Sequence, residues 1–409
     1  MNSQTAATGV TTASAVTLDN SLVLLLACGA GLGVASLYYN QPMLKTLADE
    51  FRVGPTAIGR VPTLTQLGYA AGILLLSPIG DRIDRRKVIL GKMLLLGVGL
   101  LAIAAAQSLV QLGALSVVVG LTASLAQDCV PAAAVLAPQA SRGKTVGSVM
   151  TGLLLGILLS RVVSGYVTER FGWRTMFVLA ALAIGLLYLV TVRRLPKFAP
   201  TTDLAYSALL GSLFTLWRRH AGLRRAAFAQ LLLSAAFSAF WSTLAIMLAQ
   251  PPFSYGSSIA GAFGLAGAAG ALIAPIAGGI ADRKGPELVA RVGALLVFAS
   301  FAAFAVAPES LGLLVAGTLV FDLGMQASVI SHQSIIYGLE PSARSRLNAI
   351  FIGAMFIGMA SGSSLGSLAL TVAGWRGVSL FAASAALAAL MVRLWPAKQL
   401  SIARGPNGT

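Results

Sequence analysis

Asp322, Gln326, Gln333 and Tyr337 lie in one long apolar run, spaced i, i+4, i+11 and i+15. At about 100° per residue, all four share one helix face within about 60°. His332 sits at the edge of that face. A carboxylate in such a run is costly unless it takes a proton or meets a counter-ion. The stripe therefore reads as a proton or counter-ion site, against a stripe that only ties helices together. Arg161 is the one basic residue placed inside an apolar run, and it lies about 16 residues from the inner end, roughly 24 Å at 1.5 Å per residue. Asp322 lies at a similar depth, so the two could form a salt bridge that latches an outer gate. The alternative is that Arg161 snorkels outward or binds a carbonyl. Asp128, with Gln127 beside it, lies about 8 residues from an inner end, roughly 12 Å deep. It reads either as a second protonation or substrate site or as a carboxylate wetted by an inward-facing cavity.

Neutral polar and aromatic groups accompany these charges. Tyr38, Asn40 and Gln41 close the first apolar run, Gln66 lies in the second, and Gln230, Phe237 and Trp241 lie in the seventh. Together they could offer hydrogen bonds and stacking to a small polar or amphiphilic solute. A lone Gln in a helix also commonly bonds a neighbouring helix. No Walker loop, metal-ligand cluster or nucleophile motif is present, and there are two histidines. No catalytic group, metal site or cofactor is expected, so the chain reads as a non-enzyme that does not draw on ATP.

The elements that must hold these residues are membrane spans. Of 409 residues, 57% are hydrophobic and 10% are charged, against about 25% charged in soluble domains. Mean hydropathy is +0.84. Runs of the length needed to cross a bilayer fall near 21–43, 56–80, 88–107, 109–136, 145–167, 174–192, 227–250, 257–281, 288–307, 310–338, 346–372 and 376–395. The expected fold is an all-α membrane protein of twelve helices. Cys28 and Cys129 both fall within such runs, which argues against a disulfide. The net charge of +16 is carried by loops. That pattern fits lipid headgroups and not nucleic acid. With the N-terminus inside, most of the 29 Lys and Arg fall on the cytoplasmic side, Lys92 among them, and both termini are cytoplasmic. Residues 1–20 read as a disordered tail, 21–192 and 227–395 as two six-helix bundles, 193–226 as a linker, and 396–409 as a second tail. The linker residues Leu209, Leu210, Leu213, Phe214, Leu216 and Trp217 form an apolar stripe. That stripe suits a helix lying in the inner membrane surface, or one packed under the bundle.

The halves repeat. Asp81-Arg82 recurs as Asp282-Arg283, and Gly172-Trp173-Arg174 recurs as Gly374-Trp375-Arg376. The copies stand about 200 residues apart, near half the chain. Asp84 and Gly285 stand where the next helix needs an N-cap, the latter followed by Pro286 and Glu287. Glycines at 261, 264, 267 and 270, and at 358, 362 and 366, read as close-packing positions. Two like bundles in parallel orientation imply a rocking transporter with its site between them.

Asp81-Arg82 with Arg85-Arg86 resembles the signature loop between helices 2 and 3 of the major facilitator superfamily. Asp282-Arg283-Lys284-Gly285 resembles its echo between helices 8 and 9. Ser77 and Asp84 replace two glycines of the pattern. The resemblance implies that helices 1, 4, 7 and 10 line a central cavity. It also implies that the signature aspartates cap and pair without touching substrate. Tyr38-Tyr39-Asn40-Gln41-Pro42 is similar to the branch containing bacterial sugar and purine-ribonucleoside efflux pumps. That likeness implies a proton-driven inner-membrane exporter; the cargo reads as a small organic solute and the protein as a monomer. Helix 5 resembles the antiporter motif of drug exporters through Gly152, Gly156 and Gly165, but carries Ser160-Arg161 where Gly-Pro is usual. A proton-coupled uptake symporter and a non-transporting membrane sensor are the rival readings.

Overall fold

The computed structural model describes residues 20–200, 202, 204–272, 279–280 and 283–395. All regular structure among them is helical. Nine helices among the described residues are long and apolar enough to cross a membrane. In chain order the spans are α1 (Asn20–Ala35), α2 (Pro55–Arg82), α3 (Arg85–Ala104), α4 (Leu109–Leu136), α5 (Gln139–Phe171), α6 (Trp173–Arg194), α7 (Ala221–Leu248), α8 (Ser257–Leu272), α9 (Pro286–Val306) and α10 (Leu311–Tyr337). The stretch Arg344–Leu394 is α11 and α12, run together across a break at Ala373 and Gly374. We therefore number α11 as 344–372 and α12 as 375–394. The expected twelve-helix fold is present. The tails and Asp282 lie outside the described residues.

Helix starts follow local chemistry. Asp84 accepts a hydrogen bond from the Arg86 backbone N–H and caps α3. Gly285, at φ +88°, precedes Pro286 at the first position of α9. Ser108 and Ser310 cap α4 and α10 through the backbone N–H of Gln111 and Leu313. The first span is shorter than expected. α1 ends at Ala35, and residues 36–43 form turns. Pro42 has no N–H and disfavours helix at Gln41, so Tyr38, Asn40 and Gln41 sit on a turn. α4 is interrupted at Ser124, and α2 contains a π-turn at Gly72–Leu76.

Each half packs by the same scheme. α1 lies on α5, α2 on α4, and α3 on both α4 and α6; α7 lies on α11, α8 on α10, and α9 on both α10 and α12. Small residues allow the closest approaches. A Cβ on Gly152 would lie 2.6 Å from the Ala27 carbonyl oxygen, and one on Gly366 would lie 2.7 Å from the Ala239 Cα. α3, α6, α9 and α12 turn leucines outward, among them Leu95, Leu182, Leu295 and Leu387. That is the surface a bilayer requires.

The repeated Gly-Trp-Arg triplets gain a physical role. Gly172 (φ +84°) and Gly374 (φ +61°) make the left-handed turns into α6 and α12. Arg174 then donates to the Ala106 carbonyl just beyond α3 (3.1 Å), and Arg376 donates to the Ala305 carbonyl at the end of α9 (3.1 Å). Both cations meet the negative end of a helix. At the other face, which carries the Asp81 turn, Arg225 and Arg291 donate to the last carbonyls of α12.

The linker helix Tyr206–Arg219 buries Leu209 and Leu216 and packs Leu213 and Trp217 on the core, while Phe214 is exposed beneath the Arg218 guanidinium. Just beyond it, His220 pairs with Glu340 at 3.0 Å, with Arg219 at 3.6 Å. The hydrogen bond from His220, then the charges of Arg219 and its neighbours, hold the Glu340 carboxyl below the usual range. A depressed acid stabilises the fold above its unfolded value near pH ~4.3 and loses that contribution as pH falls through the folded value. Glu340→Gln is therefore expected to lower the melting temperature slightly at pH 7 and not at about pH 3. Thermal scans at both pH values check this; an equal shift at both would contradict it.

Candidate functional site

Arg161 stands where four helices and one turn converge. It projects from α5, is 2% exposed, and donates through Nε to Gln41 Oε1 at 2.8 Å. Its guanidinium carbon lies 4.1 Å from the Trp241 ring centre, 4.6 Å from Tyr38 and 5.9 Å from Phe237. Such stacking offsets part of the cost of burying the cation. Arg161 thus leaves the N-terminal half and rests on α7 of the C-terminal half. Asp322 on α10 is its charged neighbour. Their N and O atoms do not approach within 4.0 Å among the described residues, so the expected latch salt bridge is not formed. Gln41 and the aromatic rings occupy the space around the guanidinium instead. Asp322 Oδ2 lies against Gly267 of α8: a Cβ there would be 2.5 Å from this oxygen and 3.7 Å from Trp241. Burial excludes snorkelling for Arg161, whereas the carbonyl contact is present: Nη1 donates to the Ile157 carbonyl at 3.5 Å.

The remaining polar candidates divide by partner. Gln66 on α2 donates to Ser238 Oγ on α7 (3.1 Å) and so bridges the halves. Tyr69 and Phe356 meet across the same junction, 4.3 Å between ring centres. Asn40 donates to Thr65 (3.2 Å), and Gln127 donates to the Tyr69 hydroxyl (3.1 Å). The α10 stripe does not act as one unit. His332 Nδ1 donates to Gln230 Oε1 (2.9 Å), tying α10 to α7. Gln333 and Tyr337 both donate to Asn348 Oδ1 on α11, at 3.1 and 3.0 Å. Gln326 is half-buried. The lower part of the stripe therefore binds helices together, and the upper part, Asp322, faces the Arg161 cluster.

Asp128 is neither wetted nor alone. It is 2% exposed and accepts from Lys92 Nζ at 2.6 Å. Arg161 is therefore not the one basic residue inside a span: Lys92 is buried two turns into α3, where the positive-charge count had placed it among loop residues. A Cβ on Gly80 would lie 3.5 Å from Asp128 Oδ1 and 3.4 Å from Arg85 Nε. Arg85 also pairs with Asp81 at 2.6 Å. The signature turn and Asp128 thus form one charged network. Arg86 bonds the Val192 carbonyl at the end of α6, while Arg82 is exposed. In the second copy, Arg283 is exposed and Gly285 takes positive φ. Lys92 and Asn348 were missed by the sequence reading. Each is a lone polar residue one or two turns into an apolar run, and that position was the available signal.

A family profile described as the Major Facilitator Superfamily matches residues 23–339. The chain belongs to this superfamily. It is 42% identical over 375 residues to an uncharacterized transporter, YgaY, of Escherichia coli O157:H7, covering 92% of this chain and 95% of that one. It is 32% identical over 356 residues to a probable transporter, SCO4007, of Streptomyces coelicolor, covering 87% and 82%. Among solved structures, the nucleoside transporter NupG superposes with a TM-score of 0.74 at 15% identity, covering 91% of this chain and 98% of that one. A bacterial homologue of the lysosomal transporter Spinster, inward-facing and unoccupied, gives 0.71 at 14% identity, covering 92% and 94%. The chain is thus a multi-pass membrane protein and a secondary transporter of the facilitator superfamily, with a solute as its cargo and no enzymatic role. Among the described residues Arg161, Gln66 and Tyr69 join one half to the other, as do the Thr56–Thr371 hydroxyl pair, the Ser363 hydroxyl donating to the Gly59 carbonyl, and Glu169 accepting from the Ser258 N–H.

Proposed function

We propose that this facilitator is a proton-coupled exporter of a small organic solute, working as a monomer by alternating access. In this reading residues 21–192 and 227–395 swing about their junction while 193–226 tethers them, and both termini face the cytoplasm. The finer likeness is to the sugar and purine-ribonucleoside efflux branch, through Tyr38 to Pro42. The observation that carries the reading is Asp322, a carboxylate buried beside a buried cation at the junction of the halves. A membrane-embedded acid without a bonded counter-ion is a natural proton carrier.

The test uses inside-out vesicles acidified inside, with a panel of labelled sugars, nucleosides and amphiphiles. Gradient-driven accumulation of at least one solute, abolished by a protonophore, is expected. Asp322→Asn should cut that accumulation about tenfold or more while leaving gradient-free exchange, as expected when a coupling group and not the solute path is lost. Accumulation only under the opposite gradient would support uptake instead. Binding with no exchange would support a sensor.

A further inference from the structure

Unmet hydrogen-bonding capacity is found around Arg161. Its Nη2, the Gln41 Nε2 and the Trp241 Nε1 are all buried and have no hydrogen-bond partner among the described residues. Their residues are 2%, 1% and 2% exposed. All three atoms are donors. Gln41 Oε1 is already taken by Arg161 Nε, which fixes the amide so that its nitrogen is the open group. Gln41, Arg161 and Trp241 line one tight space with Pro42, Leu244 and Ala260. Buried donors left unmet are costly, and three on residues lining one space call for an acceptor. The nearby acid does not supply it, since no Asp322 oxygen bonds any of the three donors.

We infer that Arg161, with Gln41 and Trp241, is the recognition site for a carboxylate on the transported solute, whose apolar body packs against the Trp241 ring as that ring swings aside. The inference rests on the transporter reading and names its substrate class. A planar guanidinium matches a carboxylate better than any other side chain does, and the match strengthens away from water. Pairing there satisfies Arg161 Nη2 at once, and Gln41 Nε2 and Trp241 Nε1 are the other open donors on the residues lining that space. Because the side chains close on one another, the solute enters by displacing Gln41 or the Trp241 ring as the halves part. Cargo release and reclosure of the junction then use the same atoms.

The test is ligand binding to the purified full-length protein in detergent. Acetate, benzoate and 4-phenylbutyrate are each compared with the corresponding uncharged amide, by calorimetry and tryptophan fluorescence. At least one acid is expected to bind about tenfold or more tighter than its amide, the size of a hydrogen bond to a charged group. R161Q should abolish that preference, and R161K should retain part of it with the fold intact. W241F should weaken the ring-bearing acids and spare acetate. The inference falls if every amide matches its acid, if no acid binds, or if R161K and R161Q both bind the acid as the parent does. Vesicle flux of neutral solutes separates the two readings. Flux without acid binding leaves a transporter whose cargo is not a carboxylate, whereas no flux of any solute removes the transporter reading itself.

Discussion

Asp128→Ala is expected to destabilise the protein by about 3–5 kcal/mol, because it leaves an uncompensated charge buried. The Lys92 ammonium is 5% exposed and meets Asp128 in the middle of the N-terminal half. With the carboxylate gone, that ammonium must either shed its proton or draw water between α3 and α4. Replacing both residues by apolar ones of similar volume, Lys92→Met with Asp128→Leu, should recover most of the loss or exceed the parent, since two desolvation costs disappear together. Thermal unfolding in detergent, read on all three variants, checks the cycle. A single variant as stable as the parent would show that water already reaches this pair. Transport gives a second readout. Arg85 and Asp81 adjoin Asp128 through Gly80, so a double variant that is stable but slow would tie the charged turn to the motion and not to the fold.

The second large effect concerns the junction of α5 and α8. A Cβ on Gly261 would press on the Arg161 carbonyl oxygen and stand 3.2 Å from the Gly165 Cα, and a Cβ on Gly165 would stand 3.0 Å from the Gly261 Cα. These residues belong to opposite halves, so a side chain there opposes closure more than it opposes folding. Overpacking costs about 1–3 kcal/mol, which shifts a two-state equilibrium roughly 5–150-fold. Gly261→Val is therefore expected to hold the halves apart at this end and slow turnover by a similar factor. A cysteine at Ser257, with Cys28 and Cys129 replaced, should label faster with a maleimide in the variant than in its absence. Equal labelling and equal turnover would mean that α5 and α8 do not close as part of the cycle.

Much of this architecture was legible in the residues, and the limits have physical causes. The twelve spans follow from apolar length alone, because a bilayer imposes one dimension on every helix. The halves were visible in Gly-Trp-Arg and in Asp-Arg, but the purpose of the triplet was not: the carbonyl that Arg174 meets is 68 positions away. Lys92 was misplaced because a count of charges by loop cannot distinguish a lysine at a helix end from one two turns inside. Arg161 and Asp322 were set at one depth, yet depth leaves azimuth open. The turn created by Pro42 brought Gln41 to the guanidinium first. The α10 stripe was read as one helical face. Its division between Asp322 above and Gln333 and Tyr337 below depended on Asn348, a partner that periodicity cannot supply.

The two arginines that reach from α6 and α12 to the ends of α3 and α9 bear on how the protein can deform. Each staples a lipid-facing helix to its neighbour at the rim, where fraying would otherwise begin. A half stitched in this way resists internal shear, so strain during the cycle is diverted to the seam between halves. Spin labels placed on α3 and α6 should then report one unchanging separation throughout turnover, while a pair spanning α2 and α11 reports two.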